Sequence, residues 1–158
     1  MSNTYVDIMI QSLEKKIQVL DRIILLDKIQ KEQLEDEGLT TEDFDNVVEE
    51  KSDLIEQLNQ LDSGFEKLFR RVKEELDANR EQYKDQIQKM QEMIRSITDK
   101  SVEIQAQEAR NKELMMNKFT RIKQRSKVAH TNYRAASQYY KNMMQSDVVD
   151  PQFMDKTK

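Results

Sequence analysis

Apolar residues recur at alternating spacings of four and three along nearly the whole chain, a period that only helices can use. Val6, Ile10, Leu13, Ile17, Leu20 and Ile24 fall on one side of a helix expected from Asn3 to about Asp36, because steps of three and four return to the same face of a 3.6-residue turn. Ile23, Leu26, Ile29 and Leu34 widen that stripe, so this helix needs more than one partner. The same seam resumes with Phe44, Val47, Leu54, Leu58, Leu61, Phe65, Leu68 and Val72, broken only by Lys51. From Tyr83 it continues through Ile87, Met90, Ile94, Ile97, Ile104, Met115, Phe119, Ile122, Ala129, Tyr133, Ala136, Tyr140 and Met143.

The punctuation between these runs is sparse. EDEGLTTEDF is the clearest boundary: Gly38 can adopt the left-handed conformation at a helix end, and Thr40 or Thr41 can cap the next helix. A short loop between two long amphipathic helices implies an antiparallel hairpin. Ser63 and Glu66 match a reciprocal capping pattern around Gly64, but the seam runs through them in register, so continuity is favoured there. Neither Gly nor Pro occurs between Phe65 and Asp150.

Length then constrains the arrangement. At 1.5 Å per residue the first helix spans about 50 Å, whereas an unbroken helix from near Arg80 to Gln145 spans roughly 100 Å. Either the third helix turns back near TDKS (Thr98 to Ser101) to give a four-helix bundle, or its distal half projects beyond the hairpin. TDKS lacks Gly and Pro, which favours projection. The fold class is therefore all-α, an antiparallel helical hairpin plus a long third helix, with three helices, or four if the third turns back. Residues 1–112 form the hairpin and proximal third helix, 113–146 a distal amphipathic basic helix, and 147–158, which hold the only Pro and no period, a flexible tail.

Composition excludes several classes of function. With 37% hydrophobic and 35% charged residues, the apolar side chains suffice for seams rather than a thick interior. No Cys is present, so disulfides and cysteine metal sites are ruled out. The longest apolar run, Ile23 to Leu26, is far below the roughly 20 residues of a membrane span, and the chain is expected to be cytoplasmic without stable membrane insertion. The single histidine, His130, would need Glu at position 127 for a di-metal helical bundle, and Lys127 stands there. No glycine-rich loop is available to hold a phosphate. Neither a cofactor nor an enzymatic activity is expected.

Charge is strongly segregated. Between Asp27 and Asp62 thirteen acids face three lysines, a net of −10, while Leu114 to Ser146 carries seven bases and no acid, in a chain of net charge −4. One reading lays the basic segment against the acidic hairpin. Nucleic acid is not the expected partner, because these bases fall on several faces and no zipper is placed to fork them over a groove. Ala129, Ala136 and Ser126 thin the stripe, and the absence of Trp further weakens a membrane-surface reading. A protein-binding helix remains. Leu114, Met115, Phe119, Ile122, Tyr133, Tyr139, Tyr140, Met143 and Met144 are its candidate binding residues, since aromatic and thioether groups supply large, adaptable contact area. Core of a four-helix bundle is the alternative role for that stripe.

The order of segments carries a family likeness. A long first helix with LEKKIQVLDRIILLDK, a short acidic turn, a second helix with EEKSDLIEQLNQLDSGF, and a last helix holding EARNKELMMNKF and ending in YYKNMM together resemble the FlgN-like flagellar export chaperones. The resemblance implies a cytoplasmic chaperone that binds C-terminal helices of the flagellar hook–filament junction proteins, prevents their premature assembly and delivers them to the export gate. It also places client binding on the last helix, here Leu114 to Met144. The basic character of that helix and the SDVVDPQFMDKTK tail depart from the family pattern. The rival expectation is a self-associating structural coiled coil, with a homodimer as its simplest form, against which the polar seam positions Lys51, Ser101, Glu108 and Ser126 argue.

Overall fold

A computed structural model of the chain describes residues 2–38 and 40–123. They form three α-helices, α1 (Ser2–Glu35), α2 (Thr41–Ala78) and α3 (Lys84–Lys123), packed as a three-helix bundle. The distal basic helix and the tail expected from the sequence lie outside the described residues beyond Lys123.

The α1–α2 turn forms where the sequence reading puts it. Thr40 is the N-cap of α2, in extended conformation with φ −89° and ψ 149°, and its hydroxyl accepts from the Asp43 backbone N–H at 3.2 Å. Glu42 and Asp43 place negative charge at the positive end of the helix. Gly38 differs from expectation: no described residue has a positive φ. The chain leaves α1 through an Asx turn, with the Gly38 N–H donating to Asp36 Oδ1 at 2.8 Å, so no left-handed residue is required.

The second reversal spans residues 79–83 and uses neither Gly nor Pro. Asn79 binds the Glu75 carbonyl through both its backbone N–H and its side-chain amide, each at 3.0 Å. Tyr83, 2% exposed, donates its hydroxyl to Glu75 Oε1 at 3.2 Å. A buried aromatic anchored to the preceding helix thus turns the chain. Neither Ser63–Gly64 nor Thr98–Ser101 interrupts its helix, which removes the four-helix arrangement that a turn at TDKS would have made.

Lateral contacts fix the topology. Lys16 meets Asp62 at 2.5 Å and Arg22 meets Glu50 at 2.6 Å, so α2 runs antiparallel to α1. Lys100 meets Asp21 at 2.6 Å and Lys118 reaches the Leu34 carbonyl at 3.4 Å, so α3 runs parallel to α1. The first helix packs against both of the others, as its wide stripe requires. Its buried seam is Met9, Leu13, Lys16, Leu20, Ile23, Asp27, Gln30 and Leu34; that of α3 is Met90, Ile94, Ile97, Ser101, Ile104, Glu108, Asn111, Met115 and Lys118. Both alternate strictly between steps of three and four, with polar residues occupying core positions. The apolar core runs the length of the bundle, from Val6 and Tyr83 at one end to Leu34, Phe44 and Phe119 at the other.

Candidate functional site

Two places in the bundle bring together residues that the apolar seams alone do not explain. The first is midway along it. Lys51 of α2 is fully buried, as are Asp27 and Gln30 of α1 and Glu108 and Asn111 of α3. Lys51 Nζ lies 2.6 Å from Glu108 Oε1 and 2.9 Å from Asp27 Oδ1, and donates to Gln30 Oε1 at 2.8 Å. Asn111 Nδ2 donates to the Asp27 carbonyl at 3.0 Å and to Gln30 Oε1 at 3.3 Å, while Gln107 Nε2 holds Asn111 Oδ1 at 2.8 Å. One ammonium therefore serves two carboxylates in a site with no access to water, and each charge comes from a different helix.

Burial pushes the Asp27 carboxyl up to about 8, reinforced by its hydrogen bond to Glu108 and by that group's charge, against the opposing pull of Lys51. The chemistry available here is proton binding and the alignment of three helices. Among the described residues no group of three or more His, Cys, Asp or Glu side chains is placed to hold a metal. Sequence reading found two of the five residues of this node: Lys51 and Glu108 stood out as polar breaks in apolar seams. Asp27 and Gln30, which occupy seam positions of α1, were not singled out, because the apolar stripe was traced through the neighbouring Ile24, Leu26 and Ile29.

The second place is the end of the bundle where α3 passes the α1–α2 turn. Phe119 packs edge-on against Phe44, with ring centroids 5.3 Å apart and planes at 80°. Lys118 donates to the Leu34 and Asp36 carbonyls, satisfying the C-terminal end of α1, which has no basic residue in its own last turn. Met115 is 1% exposed and Phe119 5%; Leu114 is half-buried against the core, and Met116 is exposed. The expectation of an uncovered ridge therefore fails for Met115 and Phe119, which the hairpin itself covers. Ile122 lies in the final turn of α3, and Tyr133, Tyr139, Tyr140, Met143 and Met144 lie outside the described residues.

Elsewhere, a shallow groove of about 390 Å³ runs along the start of α3, lined by Arg80, Lys84, Ile87, Gln88, Gln91, Glu92 and Arg95. Among the described residues no helix is long and apolar enough to cross a membrane. Compared with family models, with curated proteins and with solved structures, the chain matches none.

Proposed function

We propose that this protein is a cytoplasmic export chaperone that captures a helical segment of its client through the residues following its bundle. In keeping with the FlgN-like resemblance, its clients are the C-terminal helices of flagellar hook–filament junction proteins, held unassembled and handed to the export gate. One observation carries the reading: α3 fills the inner face of the α1–α2 hairpin along its whole length, up to Phe119 on Phe44. We assign client capture to Tyr133, Tyr139, Tyr140, Met143 and Met144 of the segment that follows. A client helix laid along them buries these side chains, as in helix-in-groove recognition, and the four bases of the same stretch, Arg125, Lys127, Arg134 and Lys141, favour an acidic partner. Leu114, Met115 and Phe119 act indirectly in this scheme, by seating α3.

Calorimetric titration with a peptide of a junction protein's C-terminal helix tests this. The intact chain is expected to bind it, and Tyr140→Ala with Met143→Ala to weaken binding at least tenfold, about 1.4 kcal/mol, at an unchanged unfolding temperature. No binding by the intact chain, or a fall in thermal stability equal to the loss of affinity, sinks the reading. Mass measurement in solution distinguishes the self-associating coiled coil, which would appear as a stable oligomer.

A further inference from the structure

The interior node carries more negative than positive charge if every group is ionised. Lys51 offers one cation to two carboxylates, Asp27 and Glu108, each 1% exposed. The charged groups acting on Asp27 are Lys51 from α2 and Glu108 from α3, while its own helix contributes the neutral amide of Gln30 beside the Lys51 ammonium. The Lys51 ammonium, 2.9 Å from Asp27 Oδ1, is divided among Asp27, Glu108 and Gln30, which is thin solvation for a buried ionised carboxylate. Two carboxyl groups that share one ammonium in a dry site cannot both ionise cheaply. A proton on one of them turns a repulsive contact into a bond and leaves the node neutral.

We propose that the folded chain holds a proton on Asp27, donated to Glu108, and that its release weakens the packing of α3 on the α1–α2 hairpin. The proton is thus a bound ligand that joins the first helix to the third. Glu108 and Asn111 are α3's contribution to the node, so α3 is the helix that loosens when the node becomes negative. The sign of the effect follows from linkage. Asp27 in the folded chain holds its proton up to about pH 8, whereas in the unfolded chain it loses it near the ordinary carboxylate value of about 4. The stabilisation is therefore complete below about pH 4 and is lost progressively as pH rises to about 8. Above that the contribution is flat.

Urea unfolding of the full chain and of Asp27→Asn, from pH 5.5 to 9, tests this. Asn keeps a donor toward Glu108 and cannot ionise. The folding equilibrium constant of the natural chain, relative to Asp27→Asn, is expected to fall about tenfold per pH unit between 5.5 and 7.5, the slope of one proton, and to level above about 8. Trypsin cleavage after Arg110 and Lys112, normalised to an unfolded peptide of the same sequence, is expected to accelerate over that range in the natural chain alone. Parallel pH profiles for the two proteins, or equal acceleration of cleavage in both, overturn the proposal. Should Asp27→Asn fail to fold, infrared spectra of the natural chain decide it: a protonated-carboxyl band at pH 6.5 that vanishes by pH 9 supports the proposal, and its absence at pH 6.5 overturns it.

Discussion

Lys51 shows how one side chain can be indispensable without being a net stabiliser. Its ammonium is taken entirely out of water, and the attraction to Asp27 and Glu108 does little more than offset that desolvation. Removing it alone is a different matter, because Glu108 stays buried without its counter-charge. Lys51→Ala is expected to cost roughly 3–5 kcal/mol in urea unfolding, whereas Leu, Met and Leu at positions 27, 51 and 108 together are expected to match or exceed the natural chain by up to about 4 kcal/mol. If the triple replacement is as damaging as the single one, the node stabilises the bundle outright. The gain from retaining polar groups is then one of register: a three-way contact forms only when all three helices are aligned, whereas leucines tolerate sliding.

At the scale of the helix, the three elements are held at their ends by chemistry of unequal visibility. The N-cap of α2 is local, since Thr40 bonds a backbone N–H three residues away, and it could be read directly from the residue order. The end of α1 is satisfied by Lys118, more than eighty residues away, and nothing local announces it. The reversal at residues 79–83 depends on Tyr83 being buried against Glu75, so the absence of Gly and Pro gave no warning of it. Gly64 illustrates the opposite case, a residue that looks like a breaker and is not one. It sits inside α2, and a Cβ added there meets nothing within 4 Å. Gly64→Ala is accordingly expected to stabilise the protein by about 0.5–1 kcal/mol, through the lower backbone entropy of the unfolded chain, raising the unfolding midpoint in urea. A destabilised variant would mean that α2 bends at Gly64.

For the molecule as a whole, the described part of α3 reaches the level of the α1–α2 turn at Phe119. A chain ending at Lys123 is expected to keep the helices α1, α2 and α3 and cooperative unfolding by circular dichroism. One ending at Arg110 loses Asn111, Met115, Lys118 and Phe119 and is expected to unfold or to melt broadly. Loss of cooperativity on removing residues 124–158 alone would make that segment part of the core and undercut its assignment to client capture. The helical class, the hairpin and the wide face of α1 were all written in the spacing of apolar residues, because a helix's face is set by steps along one chain. The meeting of Asp27, Lys51 and Glu108, and the covering of Met115 and Phe119, were decided only when the helices packed. Those contacts depend on the relative register of three helices, which two turns and a buried Tyr83 impose, and register between distant segments leaves no periodic trace in any one of them.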